Sequence, residues 1–234
     1  MRAALRYRMG MSDRTQSLPA VRCGQILLLV APRSFPRQAL PPWIAQLAFN
    51  GPLRILDGGG RFNPYSLTRP LRRLTPRVAE AMQRVHIQRA FTCYQMTALL
   101  DEVCASDSAA PSNDGQPPQR LSGDALQTAP LLALDLLNTF HDEDVPAHER
   151  RRLLAGGLAG LNRLSRIAPV AVTVSLGSVE TPSRSTPRSL RGVSTTGDGT
   201  VRSEMLEALE EGLENLRIWW FDDDPVLPSP PRLF

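Results

Sequence analysis

Short apolar segments alternate with longer helical ones along most of this chain, and this alternation limits the fold more than any other feature. The runs Gln25–Val30, Leu53–Leu56 and Val170–Ser175 are apolar enough for strands buried on both faces. Between them, Cys93–Cys104 and His148–Ile167 carry leucines at helical spacing. The alternation is typical of βαβ units. It predicts an α/β fold of three layers, α/β/α, with a mostly parallel sheet.

Further predicted elements complete this pattern. The remaining predicted strands are Ile87–Phe91, Leu131–Leu137 and Arg217–Phe221, and the remaining predicted helices are Pro41–Asn50, Tyr65–Val85 in two pieces, and Val201–Leu216. We place the break in the second of these helices near Thr75-Pro76, because a residue before proline avoids helical geometry. Parallel sheets bind ligands beyond the carboxyl ends of their strands, so we expect the site there.

The chain is predicted to form one domain with two flanking segments. Residues 1–24 read as a flexible basic N-terminus, residues 25–221 as the α/β domain, and residues 222–234 as a proline-rich tail. Within the domain, residues 106–129 and 177–200 are rich in Ser, Pro, Thr and Gly. That composition predicts a mobile insertion and a mobile loop.

Charge and cysteine content narrow the class of protein. Residues 1–91 carry 15 arginines and 3 acidic residues, whereas residues 92–234 carry 12 arginines and 20 acidic residues. A basic half either attracts nucleic acid or an acidic protein, or serves only solubility. The three widely spaced cysteines fit neither a disulfide framework nor a zinc site and favour a cytoplasmic location. No apolar run approaches the roughly 20 residues that span a bilayer, so we predict no membrane contact.

Four segments, taken in order, resemble the RecA family, and most closely its archaeal and eukaryotic recombinase branch. Residues 55–64 (ILDGGGRFNP) are similar to that family's two apolar residues followed by Asp-Thr-Glu-Gly-Thr-Phe-Arg-Pro. Ile87–Phe91 resembles its third strand, Leu131–Asp135 its Walker B strand, and Val170–Ser175 the strand after the long helix. The likeness covers about residues 25–176. It implies a RecA-like P-loop NTPase fold.

The phosphate-binding loop of that family, Gly-x-x-x-x-Gly-Lys-Ser/Thr, is not preserved. Its glycines cradle phosphate with backbone N–H groups, its lysine reaches the β- and γ-phosphates, and its hydroxyl holds Mg²⁺. Pro36 stands at a glycine position and has no N–H, and Gln38 has no hydroxyl. All 27 basic residues of the chain are arginines, so no lysine can replace the one missing at Arg37. The degenerate nucleotide-binding site implied by the resemblance comprises Ala31, Ser34, Phe35, Pro36, Arg37, Gln38, Asp57 and Asp135.

The residues for phosphoryl transfer are missing as well. Gly59 stands where the family has the glutamate that positions the attacking water. Because this reaction depends on positioning and on charge neutralisation, we predict no catalytic residue, no metal and no cofactor. We expect Asp57 to stabilise the turn that follows its strand. Asp135 is expected to cap or pair locally, with magnesium binding as the alternative. We expect Gly58–Gly60 to be a flexible turn rather than a phosphate-binding one.

The resemblance implies a non-catalytic RecA-like paralogue that regulates or scaffolds a DNA repair or recombination complex. Its expected protein partner is a recombinase or repair factor. Residues 177–200 stand where that family carries a mobile DNA-binding loop, so Arg184, Arg188 and Arg191 are predicted to contact single-stranded DNA. Two alternatives remain open. One is a divergent ATP-dependent repair enzyme that uses Arg37 and Asp135, and the other is a protein-interaction domain without a nucleic-acid role.

Overall fold

The sheet forms around a strand that solvent does not reach. All six residues of this strand, Ile26–Ala31, are buried, as expected for an apolar run with helices on both sides. A computed structural model describes residues 5–9, 19–31, 40–106, 128–141, 144–175 and 206–221 of the 234 residues. Within this part of the chain, no helix is both long and apolar enough to cross a membrane.

The described elements alternate as the sequence pattern predicts. The strands are β1 (Leu5–Met9), β2 (Ile26–Ala31), β3 (Leu53–Asp57), β4 (Val85–Arg89), β5 (Leu131–Leu134), β6 (Val170–Ser175) and β7 (Leu216–Phe221). The helices are α1 (Leu40–Asn50), α2 (Thr68–Leu74), α3 (Val78–Gln83), α4 (Cys93–Ser106), α5 (Ala147–Ser165) and α6 (206–212). Two 3-10 turns, Pro64–Leu67 and Leu136–His141, follow β3 and β5.

The seven described strands form one parallel sheet in the order β1-β7-β2-β6-β5-β3-β4. Side chains of β2 alternate between two apolar clusters. Leu28 packs in the cluster that α4, α5 and α6 cover, whereas Leu29 packs in the cluster that α1, α2 and α3 cover. This alternation is the period of two that a strand imposes. The predicted α/β fold, with helices on both faces of a parallel sheet, is confirmed.

The direction of the chain connections changes within this sheet. From β2 and β3 the chain moves toward the β4 edge, whereas from β4, β5 and β6 it moves toward the β1 edge. Connections between parallel strands are nearly always right-handed. Helices in connections that run toward the β4 edge therefore cover one face of the sheet, and helices in connections that run toward the β1 edge cover the other. The exits of β3 and β5 therefore diverge. A crevice at such a switch point is where open α/β sheets commonly bind ligands.

Several element boundaries differ from those predicted. β4 is Val85–Arg89 rather than Ile87–Phe91, because its five residues pair one to one with Leu53–Asp57 of β3. β5 ends at Leu134, because Asp135 has a φ of 49° and leaves the extended conformation. The break near Thr75-Pro76 lies between α2 and α3, as predicted.

The ends of the predicted domain are described only in part. The prediction contained no strand before Gln25, whereas Leu5–Met9 pairs with Leu216–Phe221 at one edge of the sheet. The predicted helix Val201–Leu216 is described only at 206–212 and ends before β7. Residues 107–127, 176–205 and 222–234 lie outside the described part. Most of the predicted insertion, the predicted loop and the whole tail therefore fall outside it.

Candidate functional site

The structure brings three of the predicted site residues to the carboxyl ends of neighbouring strands. Ala31 ends β2 and is buried, and it pairs with Ser175 at the end of β6. Asp57 ends β3, and Asp135 directly follows β5. The other predicted residues lie outside the described part of the chain: Ser34, Phe35, Pro36, Arg37 and Gln38 of the degenerate loop, and Arg184, Arg188 and Arg191 of the predicted DNA-binding loop.

The Asp57 carboxylate makes its contacts within the protein. It is only 2% exposed, and its Oδ2 accepts a hydrogen bond from Phe62 N at 3.1 Å. The same oxygen lies 3.4 Å from Arg89 Nε, and Arg89 also donates to the Phe62 carbonyl at 2.9 Å. The carboxylate thus closes the loop after β3 and joins it to β4. This geometry agrees with the expectation that Asp57 stabilises the turn after its strand.

Asp135 is held by the neighbouring strand. Its backbone N–H donates to Thr173 Oγ1 at 2.8 Å, and its Oδ1 accepts from Ser175 Oγ at 2.7 Å. Its φ of 49° is in the left-handed region, which aspartate tolerates better than most residues. Local pairing of Asp135, the interpretation preferred from the sequence, is what the contacts show.

The glycines after β3 are packed rather than loose. A Cβ at Gly58 would lie 2.9 Å from the Asp135 carbonyl oxygen and 2.9 Å from Met96 Cε. A Cβ at Gly59 would lie 3.1 Å from Asp135 Oδ2, and Gly58 N donates to the Leu134 carbonyl at 2.9 Å. Gly58 and Gly59 are therefore packed positions in the turn, where glycine permits close backbone approach.

Together these contacts join the exits of β3 and β5. The backbone of Gly58 and Gly59 lies close to Asp135, so that a Cβ at either glycine would crowd it. Among the described residues, no group of three or more His, Cys, Asp and Glu side chains is placed to hold a metal ion. The two aspartates are thus used to hold the sheet edge together.

A neighbouring hydrogen bond joins the two helices beside this edge. Tyr94, near the start of α4, donates its hydroxyl to the Glu149 carboxylate in the first turn of α5. Partial desolvation, followed by this hydrogen bond, raises the pKa of Tyr94 above its usual value. The shift keeps the phenol protonated further above neutral pH than that of a tyrosine in water.

Sequence reasoning missed two aromatic side chains at the same end of the sheet. Tyr65 is 81% exposed and lies in the 3-10 turn after β3, and Phe91 is 70% exposed and follows β4. The sequence pattern instead predicts Tyr65 in a helix and Phe91 in a strand. The signal that could have found Phe91 is the Thr92-x-x-Gln95 spacing, which marks a helix start directly after it.

A separate groove of about 480 Å³ lies between α5 and α6, away from the aspartates. Its lining is mostly Ala and Leu, including Leu154, Ala155 and Leu158, with Arg150, Arg151 and Glu211 among the polar lining residues. It places no pair of carboxylates together. The groove therefore offers no candidate chemistry.

Comparison with known proteins gives no relative from which to transfer a function. No protein-family model matches the chain, and no curated protein matches its sequence. The function must therefore be inferred from the residues and their contacts.

Proposed function

We propose that this chain is a non-catalytic, RecA-like protein that regulates or scaffolds a DNA repair or recombination complex. One observation carries the non-catalytic part of the proposal: Gly59, which lies against Asp135 where the resembled family has its catalytic glutamate, has no carboxylate to position an attacking water. Asp57 and Asp135 both accept hydrogen bonds from the protein itself. A phosphoryl-transfer site needs groups that position the attacking water and neutralise the charge of the nucleotide.

The sequence of the loop after β2 supports the same conclusion. Pro32 and Pro36 have no N–H to offer a phosphate wherever they lie, and Gln38 brings no hydroxyl for Mg²⁺. Loss of one such electrostatic group commonly lowers a rate by about 10²- to 10³-fold. Loss of several together leaves little catalysis.

The assembly part of the proposal rests on the family resemblance and on the preserved architecture. The parallel sheet has an apolar cluster on each face, and helices cover both. The partner, a recombinase or repair factor, is assigned by analogy with degenerate members of the resembled family.

Nucleotide binding provides the first test. A fluorescent ATP analogue is titrated with and without Mg²⁺, and phosphate release is followed in parallel with ATP. We expect no Mg²⁺-dependent binding at micromolar concentration and no phosphate release above the buffer rate. Phosphate release that Arg37→Ala abolishes would overturn the proposal and support the divergent-enzyme alternative.

The assembly part has its own test. The purified chain is added to the recombinase of the organism from which it comes, and the DNA-stimulated ATPase rate of that recombinase is measured. We expect the rate to change with the concentration of the chain, and the two proteins to co-elute. An unchanged rate without co-elution would overturn the assembly part and leave the nucleotide result intact.

A further inference from the structure

The described surface holds two highly exposed aromatic side chains beyond the exits of adjacent strands. Tyr65 follows β3 and Phe91 follows β4, and these strands pair in parallel register. The loops that carry them are joined, because Arg89 donates to the Phe62 carbonyl at 2.9 Å. At Gly60, where φ is 61°, a Cβ would lie 3.3 Å from Phe91 Cε1. The two aromatic positions thus belong to one continuous edge.

The backbone under each aromatic is held in place. Phe91 N donates to Gln95 Oε1 at 2.8 Å, and Gln95 N donates to Thr92 Oγ1 at 3.2 Å, which fixes the start of α4. Tyr65 N donates to Asn63 Oδ1 at 3.0 Å. The Tyr65 carbonyl accepts from the Thr68 hydroxyl. Both rings are therefore presented to solvent from ordered backbone, which lowers the entropic cost when a ligand stacks on them.

The chain segment that carries these rings is rich in arginine. Residues 58–92 contain seven arginines and one acidic residue, Glu80. Glu80 lies 3.8 Å from Arg77, and Asp57, which pairs with Arg89, is buried. Within the described residues, no ion pair involves Arg61 or Arg69, and both are exposed. Among the described residues, Arg61 and Arg69 therefore have no carboxylate within ion-pair distance.

We propose that this edge, formed by Tyr65 and Phe91 with Arg61 and Arg69, binds a single-stranded nucleic acid. Bases stack on the two rings and the arginines contact phosphates, which is the combination that single-strand binding requires. The aromatic-arginine edge shares no residue with the predicted loop of Arg184, Arg188 and Arg191. It also goes beyond the proposed function, which concerns ATP and a protein partner.

Fluorescence anisotropy with a labelled oligothymidylate of about 16 nucleotides tests the proposal on the full chain. Stacking is worth about 1–3 kcal/mol per base, so Tyr65→Ala and Phe91→Ala should each weaken binding by about 5- to 150-fold. Phe91→Trp should keep the affinity, because it keeps the stacking surface. The matched control is Phe49→Ala, since Phe49 is 40% exposed near the end of α1, at the opposite end of the strands.

The arginines are tested through salt dependence. A plot of log affinity against log salt becomes less steep by about 0.7 for each phosphate that the protein no longer neutralises. Arg61→Ala and Arg69→Ala should each reduce the slope by about this amount. Arg163→Ala, at an exposed position in the last turn of α5, is the matched control and should leave the slope unchanged. Oligouridylate and duplex DNA, titrated beside oligothymidylate, distinguish an RNA ligand from a DNA one and a single strand from a duplex.

Two outcomes would overturn the proposal. One is affinity for oligothymidylate and oligouridylate that Tyr65→Ala, Phe91→Ala and Arg61→Ala leave unchanged, whether or not Arg184→Ala weakens it. The other is tighter binding to duplex DNA than to either single strand. Neither outcome bears on nucleotide binding or on the recombinase assay, so the two proposals fail separately.

Discussion

At the scale of single residues, the acidic side chains at the carboxyl edge serve structure. Asp57 is almost fully buried and accepts from Phe62 N, and Asp135 accepts from Ser175 Oγ. A buried acceptor that satisfies a backbone donor is costly to remove, because the donor is then left without a partner. In an active ATPase, aspartates at these positions would face a ligand. Here both accept hydrogen bonds from the protein itself.

The structural role of Asp57 can be measured. Asp57→Ala should lower the free energy of unfolding by about 1–3 kcal/mol, because Phe62 N loses its acceptor in a buried place. Asp57→Asn should cost less, since the amide oxygen can still accept from Phe62 N. Arg89 adds little to the difference, because its side chain is 44% exposed and can be rehydrated. Urea denaturation provides the values. Equal stability of wild type and Asp57→Ala would contradict this role.

At the scale of elements, glycines determine how closely α4 and α5 pack. A Cβ at Gly157 would lie 2.9 Å from Leu100 Cδ1, and one at Gly160 would lie 3.1 Å from Cys104 Sγ. Both glycines face α4 and both are buried. Gly156, the adjacent residue, has no atom within 4 Å of the same position. One residue of helical rotation therefore separates a packed position from an open one.

This pair of neighbours gives a matched prediction. Gly157→Leu should lower the free energy of unfolding by about 1–3 kcal/mol, because the added side chain overpacks the contact with α4. Gly156→Leu should raise it by about 0.5–1 kcal/mol, because leucine loses less backbone entropy than glycine in a helix. Chemical denaturation of the two variants compares them directly. A gain of similar size in both variants would show that helix propensity, not packing, decides the outcome.

At the scale of the whole molecule, one strand connects two apolar clusters. Leu28 and Leu29 are both fully buried, yet they lie on opposite faces of β2 and in different clusters. If the helices on either side of the sheet detach, β2 is exposed to solvent. The stability of each helical layer therefore depends on the other. We expect the sheet and both helical layers to unfold in a single cooperative transition.

Leucine truncation on each face tests this dependence. Leu28→Ala and Leu29→Ala should each lower the free energy of unfolding by about 2–5 kcal/mol. In both variants, hydrogen exchange of α1 and of α5 should accelerate together as denaturant is added, because both helices cover the same sheet. Exchange that accelerates only in α1 for Leu29→Ala, with α5 still protected, would contradict the single transition.

The amino-acid sequence by itself determined the element types and the layered architecture of this protein. Short, fully apolar runs such as Ile26–Ala31 indicate buried strands, and local spacing of leucines marks α4 and α5 as helices. The tertiary structure alone decided the strand order, the close packing of Gly58 and Gly59 on Asp135, and the exposure of Tyr65 and Phe91. The physical reason is range: periodicity and propensity act over a few residues, whereas crossover direction and register depend on packing between residues far apart in the chain.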